Sequence, residues 1–125
     1  MKLLIVDDDA ELCAMLEEFF EEVLDSDIFA ATTASDALAL LEDEQPDGML
    51  LDVNLRSRIS GFDILSRARA VSPSTKVVMM TSSRDLGSIK KAHQLGAVDC
   101  VTKPFTLDYL EDTVQTKVAQ LLEYA

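Results

Sequence analysis

The sequence predicts an α/β fold, a doubly wound parallel sheet sandwiched between helices, and three observations predict it. Strand-like apolar runs and stretches of helical periodicity alternate five times along the chain. The runs stop at residues able to bind metal or phosphate: Leu3 to Val6 at Asp7-Asp8-Asp9, Gly48 to Leu51 at Asp52, Lys76 to Met80 at Thr81-Ser82, and Cys100 to Thr102 at Lys103-Pro104. No repeat, low-complexity tract or Pro/Gly/Ser-rich linker divides the 125 residues, so one domain over 1–125 is expected. Such alternation gives parallel strands with right-handed helical crossovers on both faces.

The elements follow in order. After the first strand, Asp9 suits an N-cap, and Leu12, Met15, Leu16, Phe19, Phe20 and Val23 recur at the spacing of one helix face, leaving the glutamates between them outward. Ile28 to Thr32 reads as a short second strand. Ser35 to Asp43 reads as a helix with Leu38 and Leu41 inward, closed by Gln45-Pro46 because proline cannot continue it. The third strand ends at Asp52, and Val53 to Ser60 is polar and irregular. Gly61 then leads into a helix carrying Phe62, Leu65 and Ala68, stopped by Ser72-Pro73-Ser74. The fourth strand ends at Thr81, and a weaker helix follows from Asp85 to Leu95 with Gly96 as its stop. Asp99 to Thr102 forms a brief fifth strand. Thr106 caps a last helix lined by Leu107, Leu110, Val114, Val118 and Leu121.

Composition excludes several functions. Eleven Lys plus Arg stand against 23 Asp plus Glu, a formal charge of -12, which repels a nucleic-acid backbone over most of the surface. The apolar start from Leu3 lasts four residues, too short for a signal-peptide core or a membrane span, so a cytoplasmic protein without membrane contact is expected. Cys13 and Cys100 share no CxxC spacing and are expected to remain thiols. The single histidine, His93, falls in a polar helical stretch and is read as solvated, which argues against a histidine base.

In an open parallel sheet all strand carboxyl ends lie on one edge, so the residues that end these runs would meet there. Carboxylates bunched at buried strand ends repel one another and lose hydration, and a cation must compensate them. Magnesium suits this role, since it accepts one or two carboxylates, keeps several waters and bridges to phosphate oxygens; Asp7 and Asp8 could hold it. Asp52 could then attack a phosphoryl group, with a Thr81 hydroxyl and the Lys103 ammonium on the phosphoryl oxygens. Singly, each has a plainer explanation: a helix start, a solvated strand end, a capping hydroxyl, a surface charge. Their joint placement favours the site.

Taken in order, IVDDD, LLDVNL, MMTSS and VTKPF closely resemble the receiver domain of two-component response regulators, over essentially the whole chain. The resemblance implies a (βα)5 flavodoxin-like fold with strand order 2-1-3-4-5. It implies that a sensor histidine kinase or phosphotransfer protein passes a phosphoryl group to Asp52 with Mg2+, and that the receiver then changes its binding to a downstream protein target or an effector domain. In the implied site Asp7, Asp8, Asp52 and the main-chain carbonyl of Asn54 hold the metal, Asp8 more directly and Asp7 largely through water. Thr81 is the implied switch hydroxyl and Lys103 the phosphate-binding lysine, followed by a cis bond to Pro104. Asp9 has no matching role and is read as the helix cap. Such a receiver is not an enzyme towards other substrates; it catalyses only its own phosphorylation and dephosphorylation.

Three departures from the family pattern stand out. Leu55 is followed by Arg56 where the family usually has proline soon after the acceptor, and Ser60-Gly61 replaces Asp-Gly after one extra residue, so a reshaped loop from Arg56 to Ser60 is expected. Cys100 stands three residues before the lysine, where the family places Tyr or Phe, so the aromatic half of the usual switch is missing. Two other readings remain open at this point. A small haloacid-dehalogenase-type phosphatase would use the Asp-x-Asp within Asp7 to Asp9, but it needs a further acidic pair, and Asp108, Glu111 and Asp112 lie in a helical pattern. A receiver-like interaction module that is never phosphorylated is the second. An EF-hand is excluded, because no glycine falls at the required loop position.

Overall fold

The computed structural model describes residues 1–82 and 86–123, the last of these as backbone only. Strands β1 (Lys2–Val6), β2 (Asp27–Ala31), β3 (Gly48–Asp52), β4 (Lys76–Thr81) and β5 (Asp99–Thr102) form one parallel sheet in the order β2-β1-β3-β4-β5. Between and after them lie α1 (Ala10–Val23), α2 (Ala34–Glu44), α3 (Gly61–Val71), α4 (Leu86–Gln94) and α5 (Leu107–Tyr109). A π-helical turn (Leu110–Val114) continues α5 into α6 (Gln115–Glu123). The predicted class and strand order are both present.

Central strands β1, β3 and β4 read as unbroken apolar runs because both of their faces are covered. Alternate residues point to opposite sides. Leu4, Val6, Met49, Leu51, Val77 and Met79 pack with α2, α3 and α4, whereas Leu3, Ile5, Leu50, Val78 and Met80 pack with α1 and the last helical stretch.

Several helices turn a different set inward from the one expected. In α1 the buried stripe is Cys13, Leu16 and Phe20, while Met15 and Val23 are exposed. Met15 lies roughly 100° around the helix from Leu16, and Val23 is its final residue. Helix α2 starts at Ala34 with Thr33 as its cap and buries Ala34, Ala37 and Leu41, leaving Leu38 half-buried. Strand β2 begins at Asp27 and stops at Ala31, where pairing with Val6 ends, so Thr32 falls outside it. Helix α3 buries Ile64, Leu65 and Ala68, and Phe62 is only partly covered. In the loop 53–60, Val53 and Leu55 are buried although the stretch as a whole is polar. Helix α4 ends at Gln94, and Gly96 at φ +104° makes the left-handed turn after it. Leu107 is exposed rather than inward, and Leu110, Val114, Val118, Leu121 and Leu122 form the buried row. Ser83 of the MMTSS run, Asp85 at the expected start of α4 and the chain end at Ala125 lie outside the described residues. No helix among the described residues is long and apolar enough to cross a membrane.

Candidate metal and phosphoryl site

The strand order reverses at β1. The chain passes from β1 outward to β2, then returns to β3 on the other side of β1, and the carboxyl ends of β1 and β3 flank the crevice this creates. Asp7 follows β1, and Asp52 ends β3 in register beside Met80 of β4. One carboxylate oxygen from each of Asp7, Asp8 and Asp52 lies within 4.8 Å of the other two. Asp7 and Asp52 are buried and Asp8 is half-buried.

Backbone contacts fix these side chains. Asp7 donates its N–H to the Ala31 carbonyl at 3.2 Å and accepts at Oδ1 from the Asp9 N–H at 2.9 Å. The Cys13 thiol donates to the Asp7 carbonyl at 3.3 Å. Asp9 accepts from Glu11 and Leu12 N–H groups and caps α1, as expected. Asp52 Oδ1 accepts from the Asn54 N–H at 3.2 Å, so Asn54 sits directly beside the expected acceptor.

Glycine is required at position 61. A Cβ there would stand 2.0 Å from the Asp52 carbonyl oxygen, and its N–H donates to the Val53 carbonyl at 3.0 Å. The start of α3 thus rests on the backbone of the site. Ser60 caps it in a reciprocal box with Asp63.

The Lys103 ammonium enters from the β5 side. It donates to Asp7 Oδ2 and lies 3.4 Å from Asp52 Oδ2, with little exposure to solvent. Its amide donates to the Thr81 carbonyl at 2.7 Å, extending the Thr81–Thr102 register by one step, and the bond to Pro104 is cis. Thr81 is buried at the end of β4. Asp7, Asp8, Asp52 and Lys103 are therefore brought together, with Asn54 and Thr81 on the adjoining backbone.

Electrostatics follow from this crowding. Burial and then the charge of Asp7 push the Asp52 carboxyl above its ordinary range, with Lys103 opposing them only in part. Burial alone would lower the Lys103 ammonium, but its bond to Asp7 and the charge of Asp52 raise it overall. The Cys13 thiol is pushed up to about 11, first by burial and then by Asp7, so it is an inert packing thiol. Asp7 and Asp52 share the Lys103 ammonium, the half-buried Asp8 faces the exposed Arg56 instead, and the donors of the trio are all oxygen. That set fits a hard divalent ion that keeps some of its water.

Sequence reading missed two contacts. Arg56 lies against Asp8, its N–H 3.3 Å and its Nε 3.5 Å from Oδ2. The Tyr109 hydroxyl accepts from the Thr102 N–H at 3.0 Å, and its ring stacks on Phe105 with centroids 5.9 Å apart. Only the loop's departure from the family pattern pointed towards the first, and nothing in the spacing pointed towards the second.

Residues 3–115 match the family described as response regulator receiver domain. The chain belongs to that family. Sporulation initiation phosphotransferase F of Bacillus subtilis is 32% identical over 91% of this chain and 90% of its own length. The probable C4-dicarboxylate response regulator DctR of Priestia megaterium is 27% identical over 90% of this chain, which spans half of that protein. A crystallised signal receiver domain of a DNA-binding response regulator from Colwellia psychrerythraea superposes with a TM-score of 0.83 at 30% identity, covering 96% of this chain and 99% of that one. The protein is thus a two-component receiver, a phosphorylation-controlled signalling module. This sets aside the phosphatase reading, and Asp108, Glu111 and Asp112 of this receiver are exposed on the last helical stretch, outside the acidic trio. Cys100 remains the departure: a half-buried thiol in β5 where an aromatic ring would be expected.

Proposed function

We propose that Asp52 of this receiver accepts a phosphoryl group from the phosphohistidine of a sensor kinase or phosphotransfer protein, and that residues 1–125 make up the receiver unit. The observation that carries this reading is the acidic trio within 4.8 Å, with the Lys103 ammonium between Asp7 and Asp52. An Asp52 oxygen forms the new bond to phosphorus while the phosphorus–nitrogen bond of the donor breaks, and the imidazole leaves with that electron pair. Asp7, Asp8, Asp52 and the Asn54 carbonyl are the groups that would hold Mg2+. Bound there, the ion would neutralise phosphoryl oxygens and the carboxylates that face them.

Lys103 and Thr81 have different tasks in this scheme. The lysine is the compact charge that a new phosphoryl oxygen meets, and drawing it away from Asp7 alters the end of β5. The Thr81 hydroxyl donates to a second oxygen and draws β4 towards it. Water attacking phosphorus later restores the carboxylate, so the only turnover is of the receiver's own phosphoryl group. The state so marked differs in its affinity for a downstream protein or an effector domain. A cytoplasmic location accords with such a donor.

Incubation with acetyl phosphate and magnesium, followed by mass spectrometry of the acyl phosphate, tests the assignment. Label at Asp52 that is lost on chelation and in Asp52→Asn is the expected result. Full labelling of a folded Asp52→Asn protein would refute it, and absence of any label would favour the binding-only module.

A further inference from the structure

Arg56 lies against a carboxylate that a cation would need. Both its N–H, at 3.3 Å, and its Nε, at 3.5 Å, address Asp8 Oδ2, while one oxygen of Asp8 belongs to the trio within 4.8 Å. Among the described residues, the two basic ones at the site are held very differently. Lys103 is 19% exposed and touches two buried carboxylates, whereas the Arg56 side chain is 93% exposed and touches only the outermost one. A cleft of about 380 Å³ lined by Asp8, Asp9, Ala10, Glu11 and Arg56 gives its guanidinium space to swing away.

We propose that Arg56 and the divalent cation compete for Asp8, so that the guanidinium leaves the carboxylate as the metal takes it. This rests on the magnesium reading above. A carboxylate oxygen has few lone pairs, and a guanidinium beside it places like charge against an incoming dication. An exposed ion pair of this kind is weakly held and costs little to break. Arg56 is therefore a positioning residue that sets how readily the site fills, in a loop where the family usually carries proline, a residue with no charge and no N–H to offer.

Magnesium titration of the full chain at fixed ionic strength, read by calorimetry and by amide shifts, tests this. Arg56→Ala should tighten the dissociation constant by roughly two- to fivefold, the scale of one exposed ion pair. Arg56→Lys should restore most of the wild-type value. Arg58→Ala removes the same charge from an exposed position two residues along, and should give less than half of the Arg56→Ala effect. In an Asp8→Asn background Arg56→Ala should have no more effect than Arg58→Ala has in that background. Equal tightening by both alanine variants would reduce the effect to general charge and overturn the proposal, as would an unchanged or weaker constant for Arg56→Ala. Wild-type protein that binds no magnesium would overturn the metal reading as well, whereas binding that is indifferent to Arg56 would overturn this inference alone.

Discussion

Asp52→Asn should make the receiver more stable in the absence of magnesium while weakening its response to the ion. At an effective dielectric of about 20, charges 4.8 Å apart interact by about 3.5 kcal/mol and charges 3.4 Å apart by about 5 kcal/mol. Asp52 meets two carboxylates within 4.8 Å and one ammonium at 3.4 Å, so repulsion exceeds attraction by about 2 kcal/mol on this scale. Asp8 is half-exposed and has Arg56 beside it, which screens its share, and about 1 kcal/mol of stabilisation is the expected net result. Asparagine keeps the shape and retains an oxygen for the Asn54 N–H. For the wild type, magnesium at a hundredfold excess over its dissociation constant should add about 2.7 kcal/mol. For 125 residues this is a rise in Tm of roughly 10 °C. Thermal unfolding at matched ionic strength is the assay, because at a net charge of -12 any salt screens general repulsion. A variant less stable than wild type without magnesium, and equally stabilised by it, would refute the convergence of these charges.

Three further outcomes follow from the same geometry. Because the folded Asp52 carboxyl lies above its ordinary range, the folded state binds more protons between the two values; the stability gap between Asp52→Asn and wild type should close as pH falls through the raised value and vanish below the ordinary one, as urea titrations without magnesium would measure. Gly61→Ala should cost at least about 2 kcal/mol in urea unfolding, since its methyl meets the Asp52 carbonyl at 2.0 Å, whereas Gly48→Ala meets only flexible leucine methyl groups at 3.3 Å or more and should be milder. Tyr109→Phe keeps the stack on Phe105 but removes the acceptor of the Thr102 N–H; it should cost about 1 kcal/mol and speed hydrogen exchange at that amide, and unchanged protection there would show the bond to be idle.

The parts legible in the sequence are those where local pattern and tertiary role coincide. Strands β1, β3 and β4 were readable because burial on both faces leaves no room for polar residues. Asp7, Asp8, Asp52 and Lys103 were readable because the topology carries strand ends to one edge whatever the details of packing. Helix faces were less legible. Periodicity marks an amphipathic helix but not which flank of the stripe the sheet covers, so it points the exposed Met15 and Leu107 inward and gives no sign of the buried Ala34, Ala37 and Cys13. The π-helical turn over Leu110–Val114 falls inside a row that reads as regular α-helix. Contacts such as Arg56 with Asp8 join residues 48 apart through an exposed loop, and no spacing rule encodes them.

On the proposed reading, the crowding of charge at the site is what makes it switchable. Two buried carboxylates share the Lys103 ammonium and a half-buried third lies within 4.8 Å of both, held at the ends of β1 and β3 by the backbone of the site. A charge arriving at Asp52 therefore changes a balance that is already close. Lys103 is tied through its amide to Thr81, and the neighbouring Thr102 amide is tied to Tyr109, which stacks on Phe105 and leads straight into the π-helical turn. On the proposed reading, a shift of Lys103 from Asp7 towards a phosphoryl oxygen pulls on the end of β5 and so on the Tyr109 hydroxyl. Cys100 has no ring to move and makes few contacts that could differ between two states. The differential contact that a population shift needs is available at Tyr109, nine residues further on and at the start of the last helical stretch, which is where this receiver's coupling from site to surface is best sought.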